Sequence, residues 1–182
     1  MSRTDARIRY TQGVLKQTLL SFLQEKPINK ITVKEVCERA ELNRATFYAH
    51  YSDCFALLES IEEDLLEAFQ QSLKLVDSFD VTALIEAIYT MIEQQQEACR
   101  VLIFQNVCPN VLRRMISLAR GKSIAYWKQH LHRVTEAELE MLYTHLSNGL
   151  MHVVVEGYEK YSREEVVRFV NRIVQCSLSQ FQ

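Results

Sequence analysis

Ile31-Thr-Val-Lys-Glu-Val-Cys-Glu-Arg-Ala-Glu-Leu-Asn-Arg-Ala-Thr-Phe-Tyr-Ala-His-Tyr51 holds two helix-start signals, at Thr32 and at Asn43. Thr32 stands three residues before Glu35, the spacing of a capping box, and Ile31 and Val36 occupy the two positions of a hydrophobic staple. A helix is therefore expected to start at Thr32. Val33, Val36, Cys37 and Ala40 fall at i, i+3, i+4 and i+7, one apolar stripe on a helix of little more than two turns. Asn43 is the next strong N-cap, and only Glu41 and Leu42 separate it from Ala40, so a second helix turns sharply away from the first. Phe47 and Tyr51, four apart, can face inward. Arg44, Ala45, Thr46, Tyr48 and His50 are left for solvent, a set rich in donors and free of carboxylates. Such a face suits a polyanion.

The competing reading is an ordinary helical hairpin with a solvated Arg, Tyr and His. The order of the residues decides against it. From Ile31 to Tyr51 they resemble the helix-turn-helix segment of the TetR/AcrR family of bacterial regulators. The usual pattern there is a Thr-Val start, an Ala-Gly-Val turn, then Ser-Arg-Gly-Thr-Phe-Tyr-x-His-Phe. The resemblance implies DNA contacts from Thr32, Arg44, Ala45, Thr46, Tyr48 and His50, with Arg44 reading a base edge in the major groove and Thr46, Tyr48 and His50 holding phosphates. Elementary chemistry agrees, since Arg presents a bidentate fork to guanine while hydroxyls and an imidazole fix register on the backbone. Two positions depart from the pattern. Glu41 replaces the turn Gly, so a residue with a Cβ must occupy a turn that favours positive φ, and a carboxylate stands near the DNA side. Cys54 replaces a Lys that contacts phosphate at the start of the fourth helix.

Around this segment the composition points the same way. Hydrophobic residues make up 48% of the 182 residues, ample for a core, and Gly and Pro number only four and two. The long segments keep helical rather than alternating periodicity, so the expected class is all-α. Residues 1–60 carry nine Lys+Arg against seven Asp+Glu, and residues 61–182 carry twelve against sixteen, so the first part is the basic end by a small margin. DNA binding must then rest on the placement of a few residues rather than on bulk charge. Five scattered cysteines, Cys37, Cys54, Cys99, Cys108 and Cys176, contain no CxxC pair and fit reduced thiols of a cytoplasmic protein. No signal-like segment and no apolar run of membrane-spanning length is expected.

Upstream, Ile8, Leu15, Leu19 and Phe22 mark a first helix closed before Pro27, completing a three-helix head over residues 1–52. From 53 to 182 a helical ligand-binding and dimerisation bundle is expected. Asp53 caps a long helix carrying Leu57, Leu58, Ile61, Leu65, Phe69 and Leu73, and further helices fall at about Val81–Gln96, Glu97–Val107, Val111–Leu131, Glu136–Lys160 and Arg163–Gln180. Thr135 with Glu138 and Ser162 with Glu165 repeat the capping box, and Gly121 is expected to kink or divide its helix. The count is about nine, that of the resembled architecture.

The last two helices are apolar over more than one stripe, through Met141, Leu146, Gly149, Leu150, Val153, Phe169, Val170, Ile173 and Val174 among others. A helix so broadly apolar needs two partners, supplied either by a second copy or, as the alternative, within one buried monomeric bundle. In the resembled family these helices pair with their copies, so Leu146, Gly149, Val153, Val170 and Val174 are assigned to a homodimer seam, and a two-fold dimer sets two reading helices on a palindromic operator. The family's middle helices enclose an effector cavity, for which Phe69, Tyr89, Phe104, Met115, Tyr126 and Trp127 are the large lining candidates; plain core is the alternative for each. The segment Gly149-Leu-Met-His-Val-Val-Val-Glu-Gly-Tyr, followed by Ser162-Arg-Glu-Glu-Val-Val, resembles a branch of the family from low-GC Gram-positive bacteria that includes regulators of dihydroxyacetone kinase operons. His130, His132, His145 and His152 invite a metal reading, but no carboxylate or thiol completes a ligand set, so neither metal nor cofactor is expected. No phosphate loop or nucleophile–base pair argues for an enzyme. The expectation is a DNA-binding repressor released from a double-stranded operator by a small-molecule effector. The alternative is a coactivator of the same fold that engages another regulator instead of DNA. Cys54 stays open between an incidental replacement and a redox switch near the DNA face.

Overall fold

The computed structural model describes residues 3–74 and 81–181. Among these, nine α-helices and no strand are present: α1 (Arg3–Leu23), α2 (Val33–Arg39), α3 (Arg44–Tyr48), α4 (Cys54–Lys74), α5 (Val81–Gln94), α6 (Gln96–Cys99), α7 (Pro109–His130), α8 (Glu136–Gly157) and α9 (Arg163–Leu178). No helix among the described residues is long and apolar enough to cross a membrane. The chain divides into two compact units. One comprises the residues up to Leu65 together with Glu97–Val107, the other Leu66–Gln96 together with the residues from Cys108 onward.

In the first unit the apolar stripes close over one another. Leu15, Leu19 and Phe22 of α1, Ile31, Val36 and Cys37 of the second helix and its approach, and Phe47 of α3 are all buried, while α2 packs on both α1 and α3. Ile8 departs from the expected stripe. Residues 5–10 of α1 are all exposed, so burial along this helix begins only at Thr11. Arg39 lies over the Phe22 ring with its guanidinium carbon 3.5 Å from the centroid and pairs with Glu25 at 2.8 Å, so its charge is committed within the unit. Lys26 reaches Glu35 at 2.6 Å and fastens the loop after α1 to the first turn of α2.

Residues 97–107 form less regular helix than the sequence suggests. After the single turn of α6 the backbone widens into a π-helical turn at Arg100–Phe104, and Asn106 ends it at φ 55°, a left-handed conformation that Asn tolerates better than most residues. Pro109 then opens α7 at the one helical position where its missing N–H costs nothing.

In the second unit α8 packs on α7 and α9, and α9 also packs on α5. Thr135–Glu138 and Ser162–Glu165 both form complete capping boxes, as their spacing predicts. Gly121 does not divide α7, which runs unbroken to His130. A helix-interior Gly costs about 1 kcal/mol relative to Ala, and the helix continues through it, burying Met115 and Trp127 on either side. Gly157 is the tight glycine of the unit. A Cβ there meets Tyr161 and Val166 side chains at 3.3 Å each, so the chain turns closely from α8 into α9.

Candidate nucleic-acid interface

The first turn of α2 is set by Thr32. Its Oγ1 accepts from the Glu35 amide at 3.3 Å, and Glu35 Oε2 accepts from the Thr32 amide at 2.9 Å and from the Thr32 hydroxyl at 2.7 Å. Hydrogen bonds from Lys26 and from Thr32 bring the Glu35 carboxyl down to about 2. The C-terminal end of α2 is a Schellman motif. Leu42 N–H bonds to Cys37 C=O at 3.0 Å, Glu41 N–H to Glu38 C=O at 3.4 Å, and Glu41 itself sits at φ 53°. This is the conformation that favours glycine, and the sequence supplies a side chain with a Cβ instead. About 1–2 kcal/mol of backbone strain is therefore built into the turn.

Asn43 opens α3, its Oδ1 accepting from the Thr46 amide at 2.7 Å and from the Thr46 hydroxyl at 2.9 Å. Phe47 is fully buried and Tyr51 nearly so, and the two rings meet 6.0 Å apart. The opposite face carries Arg44, Ala45 and Tyr48, all exposed, with Tyr48 57% accessible and edge-on to Phe47. His50 lies beyond the last turn of α3, half-buried against Tyr51.

The structure separates the six candidate contacts into two kinds. The hydroxyl of Thr32 donates to Glu35 and that of Thr46 to Asn43, so Thr32 caps α2 and Thr46 steadies the Asn43 cap of α3. Arg44 and Tyr48 project donors outward, with the small Ala45 beside them. Lys34, 3.7 Å from Glu38 and largely exposed, adds a cation on α2; its signal in the sequence is a basic residue in the first turn of that helix. Asp53 caps α4 by accepting from the Ala56 amide at 2.8 Å. Cys54 is buried, and burial followed by the Asp53 charge pushes its thiol up to about 11, which makes it a packed side chain and a poor candidate for a reactive thiolate. Phe55, next in sequence, is 57% exposed.

Of the effector candidates, Phe69 and Trp127 line a common cavity of about 50 Å³, together with Ser123, Tyr143, Ser147 and Met151. Met115 is fully buried core, Tyr126 stacks on His130 at 4.0 Å, Tyr89 packs on Tyr158 at 5.5 Å, and Phe104 belongs to the other unit. Leu146 and Val174, assigned to the seam, also line the cavity, and Val170 is only 3% exposed, so all three are covered within one chain. The open face instead presents Met141 (62%), Phe169 (44%) and Ile173 (42%). Gly149 and Val153 border the shallow groove between α8 and α9 beside Phe169 and Ile173. Nothing lies within 4 Å of a Cβ built on Gly149. No group of three or more His, Cys, Asp or Glu side chains suited to a metal ion occurs among the described residues.

No protein-family model matches the chain. An uncharacterised HTH-type transcriptional regulator of Bacillus subtilis, YxbF, is 36% identical over 62 residues, which are 34% of this chain and only 16% of that protein. Among solved structures, a TetR transcriptional regulator from Streptococcus agalactiae superposes with TM-score 0.69 at 22% identity, covering 94% of this chain and 97% of that one. The dihydroxyacetone kinase operon activator DhaS superposes at 0.63 with 13% identity, covering 94% and 98%. A tetR-family regulatory protein from Rhodococcus RHA1 also gives 0.63, at 14% identity, covering 96% and 97%. An all-helical chain with a capped helix-turn-helix near its N-terminus, aligned over nearly its whole length with these regulators, has the TetR-family transcriptional-regulator fold.

Proposed function

We propose that the protein is a DNA-binding transcriptional regulator, acting in the cytoplasm as a homodimeric repressor on a pseudo-palindromic operator and released by a small molecule. Residues 1–52 engage DNA and residues 53–182 bind the effector and the second copy. The observation that carries this reading is the doubly capped α2–α3 pair with Arg44 and Tyr48 exposed on its outer face. Arg44 reads a base edge, Tyr48 and His50 hold phosphates, and Thr32 and Thr46 orient the helices that carry them. Two observations support dimerisation. Met141, Phe169 and Ile173 are large, apolar and exposed on two packed helices, and Gly149 sits mid-helix beneath open space where the chain itself gives no packing reason for a glycine.

Release follows from linkage. An effector that binds more tightly when the two heads are misplaced for the operator lowers operator affinity by the same factor. Phe69 of the cavity lies on α4, the 21-residue helix Cys54–Lys74. Gel shift and footprinting on the promoter beside the protein's own gene test the reading. A symmetric footprint with half-sites one helical turn apart is expected. Binding indistinguishable from that to random DNA sinks it.

One observation favours a second reading, a coactivator that keeps the fold and docks on another DNA-bound regulator. The head carries Glu41 in its turn and the buried Cys54 where the family pattern has a Lys, and it exposes Phe55, the residue after Cys54, where phosphate contact calls for no apolar ring.

A further inference from the structure

We propose that the effector is a small, uncharged, predominantly hydrocarbon molecule held in the cavity lined by Phe69, Ser123, Trp127, Tyr143, Ser147 and Met151. The proposal rests on the ligand-release reading above and adds to it the chemical class of the ligand.

Three properties of the cavity select that class. No Asp, Glu, Lys, Arg or His lines it among the described residues, so a carboxylate or ammonium entering it loses its water and meets no opposite charge. The hydroxyl hydrogens on its wall are already spent. Ser123 donates to the Ala119 carbonyl at 2.9 Å, Ser147 to the Tyr143 carbonyl at 2.6 Å, and Tyr143 to the Ile116 carbonyl. These oxygens can each accept a bond from a ligand but have no hydrogen left to offer it. Tyr143 stays neutral as well, since burial pushes its phenol up to about 12.

Size is the third property. A volume of about 50 Å³ is well below the roughly 150 Å³ of an apolar cavity that stays dry and takes benzene. A ring-sized ligand must therefore move part of the wall. Met151 is the adaptable element, an unbranched thioether on α8 that can change rotamer without breaking a hydrogen bond. An apolar ligand thereby widens the space between helices, and the response need not involve any new polar contact.

Trp127 is the chain's single tryptophan and sits on the cavity wall, so its fluorescence reports occupancy in the unmodified full-length protein. Titration with benzene, phenol and benzoate keeps the ring and changes the polarity. Saturable responses to benzene and phenol are expected, with benzoate at least tenfold weaker. Ala119 also lines the cavity, so Ala119→Leu and Ala119→Phe fill it in two steps and should weaken benzene binding progressively; the smaller substitution serves where the larger prevents folding. Benzoate binding as tight as benzene, no saturable response to either neutral probe, or unchanged benzene binding in a folded filled variant overturns the proposal. Gel shifts with the same probes separate the two levels. Saturable benzene binding with unchanged DNA affinity supports the chemical class and defeats ligand release. DNA release by benzoate without benzene binding defeats the class and leaves release standing.

Discussion

The exposed face of α3 and the exposed face of α8 and α9 are opposite in chemistry. On α3, Arg44 and Tyr48 stand out on a five-residue helix whose only buried residue is Phe47. On α8 and α9, Met141, Phe169 and Ile173 stand out from helices already covered along a second stripe by Leu146, Val170 and Val174. A polar face needs water or a polyanion; an apolar one needs another apolar face. On the proposed function the first face meets DNA and the second meets another copy, and the two should respond differently to the same kind of substitution.

The largest effect expected is on the apolar face. Val170→Glu places a charge inside one chain and should cost about 3–5 kcal/mol, seen as loss of helical circular dichroism or of the unfolding midpoint. Ile173→Glu places the same charge on the open face, so the fold should persist while sedimentation gives a monomer. Operator affinity should then fall about 100-fold or more, because two linked half-site contacts become one. If Ile173→Glu still dimerises, the seam lies elsewhere and the contrast between the two stripes fails.

On the polar face, Arg44→Ala should cost about 1–3 kcal/mol of operator binding and relax preference at one symmetric pair of positions, whereas Tyr48→Phe should weaken all sequences alike. Equal losses on specific and random DNA for Arg44→Ala remove its base-reading role. Glu41→Gly should act on both stability and binding. Relief of the left-handed backbone should stabilise the head by about 1 kcal/mol in urea unfolding, and loss of the carboxylate should tighten DNA binding. A destabilised Glu41→Gly protein would mean that the Glu41 side chain contributes more than its backbone costs.

The smallest effect is a pH dependence. Glu35 is held at about 2 against an ordinary 4.5, so its contribution is fully present above the ordinary value and is lost as pH falls from about 4.5 toward 2. Glu138 and Glu165, lowered by the same capping geometry with Thr135 and Ser162, should follow in the second unit. Comparing urea unfolding of the wild type with Glu35→Gln checks this: the gap between them should narrow on acidification, and a gap constant from pH 6 to pH 2 contradicts the assignment.

Features legible in the amino-acid sequence lie within a few residues of their cause. A capping box depends on two side chains three apart, so Thr32, Thr135 and Ser162 announced their helices, and Asn43 and Asp53 did the same. The strained turn was legible for the same reason: a Schellman motif needs one left-handed residue two positions before Asn43, and Glu41 holds it. Tertiary structure decided what depended on distant partners. On α8 and α9 the apolar residues extend around too much of the helix for spacing to tell which stripe meets α5 and α7, so Leu146, Val170 and Val174 could not be separated from Met141, Phe169 and Ile173 until neighbours covered the first set. Tyr89, Met115 and Trp127 likewise all read as large buried side chains; only packing placed Trp127 on the wall of a void, because a cavity is a property of the atoms that fail to meet and no single residue encodes it.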